Sequence, residues 1–220
     1  MKTTALLVKR SDHSREAFVE HYEAIHTALA VQILAGFHAY VRDHVREEIH
    51  GEVSFDVMTA FSWTDPRMLG TLARRFGTDL GAAIREDEAS FMDRDASRFF
   101  LVEDHETIEA ADDSEVSDAA PRINVLVKCP VDESVETYAG HFEEDELPGL
   151  CRAAGTVASC RFGTLQSADN HAALFDLVAE IELGAGGTDP QALRDRACQI
   201  EESGARVVIV AVDRHESALG

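Results

Sequence analysis

Residues 14–26, SREAFVEHYEAIH, and residues 134–146, SVETYAGHFEEDE, decide the fold. Ser14, Glu16, Phe18, His21 and Tyr22 of the first stretch recur in the second as Ser134, Glu136, Tyr138, His141 and Phe142, each 120 residues on. Both stretches open with a serine suited to capping a helix and carry a glutamate in the first turn. In the first, Phe18, Tyr22, Ile25 and Leu29 follow one another at spacings of three and four, which makes a single apolar stripe. A shared cap, stripe and histidine in one register mark an internal repeat.

Working outward, residues 3–10 (TTALLVKR) read as a strand, and the helix capped by Ser14 runs to about Leu34, where Gly36 ends it. Residues 37–45 and 55–63 alternate as strands do. A second helical region opens at Asp65-Pro66, bends or breaks near Gly77 and Gly81, and reaches Met92; residues 98–102 are a fourth strand. Residues 106–121 are acidic, poor in large apolar side chains and closed by a proline, which is a linker composition. The order then restarts: strand 122–129, helix from Ser134, strands 156–165 and 173–183, helix 190–203, strand 205–213. Val8-Lys9 recurs as Val127-Lys128, one residue out of step near Pro130. The second copy has diverged, with Asp145 and Glu146 where the first has Ile25 and His26, followed by the helix breaker Pro148.

The expected fold class is therefore α+β: two ferredoxin-like βαββαβ repeats, residues 1–105 and 122–220, joined by the linker 106–121. Each repeat should carry a four-stranded antiparallel sheet with both helices on one face. The uncovered faces would pack sheet to sheet as an intrachain pseudo-dimeric α/β barrel. With its acidic helix edge, the second repeat serves as a cover for the first, and a monomeric pseudo-dimer or a homodimer is expected.

Composition narrows the function. The chain has 220 residues, 45% apolar and 28% charged, with 41 acidic residues against 20 basic ones and a formal charge of -21. Such a surface repels nucleic-acid backbones and anionic lipid heads, so neither is an expected partner. No leader peptide opens the sequence and no apolar run approaches a membrane span, so a cytoplasmic location is expected. Cys129, Cys151, Cys160 and Cys198 lack Cys-x-x-Cys spacing and read as reduced thiols, a Cys151–Cys160 disulfide being the alternative.

Residues 4–105 resemble the EthD family of the dimeric α/β-barrel superfamily. The resemblance rests on Lys9-Arg10 at the end of strand one, the helix with Ser14, Glu16, Phe18, Tyr22 and His26, Gly36-Phe37, and Tyr40-x-Arg42-x-His44. It continues in Asp87-Glu88-x-x-Phe91-x-Asp93 and closes with Val102-Glu103-x-His105. The family usually has Gln where Arg42 stands, and an aromatic residue followed by glycine where this chain has Phe55-Asp56-Val57. The second repeat resembles the superfamily only. The resemblance implies relatives that act on aromatic polyketides as dehydratases, cyclases or decarboxylases, and more distant ones that are isomerases, cofactor-free monooxygenases or haem enzymes.

The residues that could carry such chemistry lie in the first repeat. His21 and His26 fall about 60° and 80° either side of Phe18 at 3.6 residues per turn, so both flank the apolar stripe. His26 suits proton transfer near neutral pH, against the alternative of a rim histidine bonded to backbone. His21, with its counterpart His141, reads as structural. On strand two, His38, Tyr40, Arg42 and His44 share one face. Tyr40 and His44 are suited to holding or protonating a carbonyl or phenolic oxygen, and Arg42 to binding an enolate or carboxylate. The alternative is a row facing solvent, or a hydrogen-bonded belt between the two repeats. The candidate catalytic residues are thus His26, Tyr40 and His44, and the candidate substrate-binding residues Tyr22, Arg42, His38, Phe61 and Trp63. Asp87, Glu88 and Asp93 read as charges on a solvated loop. The histidine spacings offer no tight pair and no cysteine partner, so no metal is expected.

Three functions compete. The first is a cofactor-free lyase or isomerase (dehydratase, cyclase or decarboxylase in type) acting on a small aromatic or polyketide-like carbonyl compound by His/Tyr acid–base catalysis. The second is a non-catalytic protein that binds a small hydrophobic or aromatic molecule. The third is a haem- or oxygen-using member of the superfamily, with haem then the cofactor.

Overall fold

A computed structural model describes residues 1–65, 67–109, 121–168, 173–184 and 188–219. Among them the elements run β1 (Lys2–Lys9), α1 (Arg15–His21), a π-helical turn (Tyr22–His26), α2 (Thr27–Ile33), β2 (Ala39–His50), β3 (Val57–Ser62), α3 (Arg67–Phe76), α4 (Asp79–Phe91) and β4 (Met92–Glu109). They continue β5 (Arg122–Lys128), α5 (Val135–His141), a second π-helical turn (Phe142–Glu146), α6 (Leu147–Ala154), β6 (Val157–Ser167), β7 (Leu177–Leu183), α7 (Pro190–Glu201) and β8 (Arg206–Ala218). No helix among the described residues is long and apolar enough to cross a membrane.

The chain divides into two compact units. Met1–His44, Ser54–Leu101 and Arg214–Gly220 form the first; Val45–Val53 and Val102–Asp213 form the second. In the first, β3 lies antiparallel between β1 and β2, with β4 on the other side of β1. In the second, β7 lies antiparallel between β5 and β6, with β8 on the other side of β5. The fold is mixed α+β, and every strand pair whose register is described is antiparallel.

The register repeats with the same 120-residue offset as the helices. Leu6 faces Met58 as Leu126 faces Val178, and Tyr40 faces Phe61 as Cys160 faces Ile181. Loop hydrogen bonds follow suit: the Lys9 N–H donates to the Asp56 carboxylate and the Cys129 N–H to that of Asp176, both at 2.9 Å. Lys9 therefore corresponds to Cys129, and the one-residue slip expected at Val8-Lys9 is absent. Pro130 stands where Arg10 does, just beyond the strand. The Arg10 N–H donates to Phe91 O at 2.9 Å, a bond that proline cannot make, yet the strand register ahead of it is unaffected.

Several boundaries differ from the sequence expectation. β4 starts at Met92, directly after α4, and runs to Glu109, so residues 106–109 of the expected linker are strand. Met92 is buried and the Ser97 Oγ accepts from the Val8 N–H at 3.1 Å, which ties the early part of β4 to β1. The remaining linker residues up to 120, Pro66, and residues 185–187 of the glycine-rich turn lie outside the described residues. The first helix is not one regular α-helix to Leu34 but is interrupted by the π turn.

Each unit has its own core. In the first, Phe18, Tyr22, Phe37, Tyr40, Val57, Ile84 and Phe91 are all buried, α2 packing on α3 and α4. The alternate residues of its strands, such as Leu6 and Met58, are buried as well, so neither face of the sheet is a solvent face. In the second, Tyr138, Phe142, Leu150, Cys160, Phe162 and Leu193 fill the corresponding volume.

Candidate active site

The site grows from the π turn. In a regular α-helix residues five apart diverge by about 140°, so His21 and His26 would point to different sides. Here the Thr27 N–H bonds back to Tyr22 O, five residues earlier, and the Thr27 hydroxyl donates to the same oxygen at 3.0 Å. A turn that takes about five residues stacks i over i+5, and both imidazoles arrive on one carboxylate. His21 Nε2 meets Asp87 Oδ1 and His26 Nδ1 meets Asp87 Oδ2, each at 2.8 Å. Phe91, one turn further along α4, stacks on the His21 ring at 4.4 Å and packs against Tyr22 and His26.

An ionised carboxylate only accepts hydrogen bonds, so Nδ1 of His26 carries its proton and Nε2 keeps its lone pair. His26 is 5% exposed and lines a cavity of about 230 Å³. Burial lowers its pKa from the usual histidine value, partly offset by Asp87, so the ring is neutral at neutral pH.

The cavity is walled mainly by apolar residues, among them Ala30, Ile33, Phe61, Leu72, Ile84 and Phe99. Its polar lining is Tyr22, His26, Tyr40, Thr59 and Glu88. The hydroxyls of Tyr22 and Tyr40 are 2.6 Å apart and buried. Burial raises both phenol pKa values, so both stay protonated. One proton lies between the two oxygens, and the second is left to donate to a ligand oxygen. Burial also raises the Glu88 carboxyl above the usual range, against the partial pull of Arg94. The cavity therefore holds a neutral imidazole base, a hydroxyl donor and a carboxyl group prone to protonation. An apolar cavity of ~150 Å³ accommodates benzene, so this one suits a molecule of one or two rings.

Of the sequence-derived candidates, the structure brings His26, Tyr40, Tyr22 and Phe61 together around the cavity. Arg42 and His44 lie on the same strand face as Tyr40 but are engaged elsewhere. Glu23, on the π turn, accepts from Arg42 Nε at 2.9 Å and meets His44 Nε2 at 2.7 Å. Arg42 also donates to Tyr40 O and to Ser217 Oγ. The pair is thus a buried ionic cluster beside the cavity and not part of its wall. His38 is exposed. Trp63 is buried against Phe37 and Phe61, outside the lining.

Sequence reading missed Glu23, Asp87 and Glu88. Asp87 and Glu88 are not on a solvated loop: they lie in α4, their side chains mostly buried. The signal was present, since Ile84, Asp87 and Phe91 are spaced three and four apart and so share the apolar face of the helix.

The second unit keeps the π turn but not the side chains around it. Its π turn is intact, with the Leu147 N–H bonding Phe142 O, but Tyr22, Tyr40 and His26 are matched by Phe142, Cys160 and Glu146. Phe142 stacks on Phe162 at 5.4 Å, and Glu146 pairs with Arg196. His141 packs against Tyr138 and pairs with Asp145, on the surface, at 3.4 Å.

A haem fits the first unit's cavity poorly. At about 230 Å³ it is below the ~300–1,000 Å³ usual for cofactor pockets.

Residues 10–95 match the family model of the EthD domain. No curated protein sequence matches the chain. Among solved structures, an anthrone oxidase-like protein aligns over 100% of this chain and 93% of its own, at 11% identity and a TM-score of 0.58. A protein from Fusobacterium nucleatum subsp. nucleatum assigned to the monooxygenases aligns over 100% and 94%, at 10% identity and 0.51. A chlorite dismutase variant from Candidatus Nitrospira defluvii aligns over 96% and 90%, at 13% and 0.47. At these identities the first two show a shared fold. Residues 10–95 are thus similar to the EthD domain, and the chain shares its fold with the first two of these structures.

Proposed function

We propose that the first unit is an acid–base active site that moves a proton beside the carbonyl group of a small aromatic or polyketide-like compound, without a cofactor. The observation that carries this reading is His26, whose Nδ1 is fixed on Asp87 and whose Nε2 is free at an apolar cavity. In this reading Nε2 removes a proton from the carbon next to the carbonyl. The Tyr22–Tyr40 pair donates to the carbonyl oxygen as it becomes an enolate, in a site where little water competes. Glu88, held toward its protonated form, returns a proton to the carbon framework or to a departing hydroxyl. The outcome is isomerase or lyase chemistry: dehydration or cyclisation after proton removal, or decarboxylation, in which CO2 leaves in place of that proton and the enolate carbon is then protonated.

A second reading uses oxygen. The same deprotonation leaves an electron-rich carbanion that dioxygen can oxidise, and the anthrone oxidase-like and monooxygenase neighbours favour it. We further propose that residues 1–105 and 122–220 descend from one duplicated βαββαβ unit, the intrachain counterpart of a dimer of ferredoxin-like chains. The common 120-residue register and the two π turns support this. The second unit, its cavity position filled, is then a scaffold, and the protein works in the cytoplasm.

The test incubates the protein with anthrone and a panel of small aromatic hydroxyketones in deuterated buffer. Proton NMR follows exchange at the carbon beside the carbonyl, and an electrode follows oxygen. Exchange that disappears in His26→Ala is expected, with oxygen uptake marking the second reading. Exchange at the same rate in His26→Ala would overturn the assignment of the base. Saturable binding with neither exchange nor product would leave a ligand-binding protein and overturn the enzyme.

A further inference from the structure

We propose that the second unit binds a divalent transition-metal ion, with Zn²⁺ the best match, through His50, Cys198 and Glu201. The imidazole, thiol and carboxylate each present a ligand atom, and the three atoms lie within 4.8 Å of one another. His50 ends β2, while Cys198 and Glu201 are three residues apart on α7 and so share one face of that helix. None of the three belongs to the acid–base site, which lies in the other unit.

The donors are held before any ion arrives. Glu201 Oε1 accepts from the Val207 N–H at 3.1 Å, leaving Oε2 toward His50 Nε2 at 3.2 Å. Arg194, one turn before Cys198, donates from Nε to Ile49 O at 2.9 Å and ties the end of β2 to α7. Gly51 follows His50 with φ of +77°, and a Cβ there would meet Val207 O at 2.4 Å. The chain behind the histidine therefore follows a path that suits glycine. Together these contacts fix the imidazole against the helix face.

The donor set chooses the class of ion. Thiolate with imidazole disfavours Mg²⁺ and Ca²⁺, which take oxygen ligands, and suits Zn²⁺ and its neighbours. Three protein ligands leave a fourth tetrahedral position for water. Cys198 is exposed and the carboxylate is about one-third exposed, so an ion can enter from solvent. The strongly acidic surface raises the local concentration of cations.

The test titrates the chelator-stripped, reduced protein with Co²⁺, then displaces it with Zn²⁺. Binding of one ion per chain is expected, with a thiolate-to-cobalt charge-transfer band and tetrahedral ligand-field absorption that Zn²⁺ abolishes. Cys198→Ser should remove the charge-transfer band. His50→Gln should weaken binding by more than roughly 100-fold, beyond the 10–100-fold typical of losing a group that only supports a ligand. Circular dichroism checks that both variants fold. Cys151→Ser should leave the band unchanged. Absence of any band in the wild type, or a band that survives Cys198→Ser and disappears in Cys151→Ser, would overturn the site.

Discussion

The imidazole of His26 and the carboxylate of Asp87 meet at 2.8 Å because the helix carrying the histidine spends about five residues on one turn. The wide turn has no local proline or glycine to cause it: Tyr22–His26 reads YEAIH. It recurs in the second unit over a different sequence, FEEDE, where no imidazole uses it. The backbone irregularity thus belongs to the fold, and in the first unit it sets His26 on Asp87.

Asp87→Asn should separate orientation from charge. An amide can still bond Nδ1 but no longer requires that Nδ1 carry the proton, so the reactive tautomer is no longer enforced. Turnover should fall by about 10²–10⁴ with the fold intact by circular dichroism. Full activity in this variant would mean that the carboxylate does not set the state of His26.

Tyr22 and Tyr40 should behave as a pair. Each single replacement by Phe removes one buried hydroxyl and strands the other, at about 1–2 kcal/mol each. The double replacement leaves no stranded group, so its cost should be less than the sum. Denaturant unfolding of the four proteins measures the coupling, expected near 1 kcal/mol. Additive costs would contradict the hydrogen bond.

Filling the cavity should abolish binding without unfolding the protein. Ala30 lines it from α2 and is 4% exposed. Ala30→Leu adds three carbons, at an overpacking cost of about 1–3 kcal/mol. Calorimetric titration with an aromatic ketone that binds the wild type should show affinity lost in this variant. Unchanged affinity would place the ligand elsewhere.

Acid should destabilise the protein in two windows. Burial opposes ionisation of Glu23, but hydrogen bonds from His44 and Arg42 prevail and hold it at about 2. A carboxylate lowered on folding contributes stability that is present above its unfolded value near 4.5 and is lost as pH falls toward 2. His26 is lowered from 6.5 by burial, so its share is lost from about pH 6.5 downward. Glu88 works the other way: raised on folding, it favours the folded state below 4.5 and loses that contribution as pH rises. Glu23→Gln should flatten the lower window of unfolding free energy against pH. Because Arg42 and His44 then lie buried without their anion, it should also cost about 3 kcal/mol at neutral pH. An unchanged acid limb would contradict the cluster.

The element order of both units was largely legible in the sequence, because the pattern shared by Ser14 and Ser134 with the residues after them reports on backbone alone. Caps and apolar spacing are local properties, and the strand register carries the same offset. Tyr22, His26, Tyr40 and Phe61, which line one cavity, could be picked out as candidates from helix and strand spacing alone. The contact of Arg42 and His44 with Glu23 was not legible because Glu23 comes from another element, and no local pattern says which face of a strand an acid will meet. Asp87 was hidden by its neighbours: Glu86, Asp87 and Glu88 read as a charged run, and only the spacing from Ile84 to Phe91 marks the face that turns inward. The π turn left no trace in the spacing of the apolar residues, so the angle between the histidines was misjudged by the α-helical rule.

The most direct test is an NMR titration of the histidine ring nitrogens, with His26 identified by its loss in His26→Ala. The account requires a neutral ring at pH 7, protonated on Nδ1, with a pKa below the usual 6.5. A ring protonated on Nε2, or an imidazolium at pH 7, would contradict it.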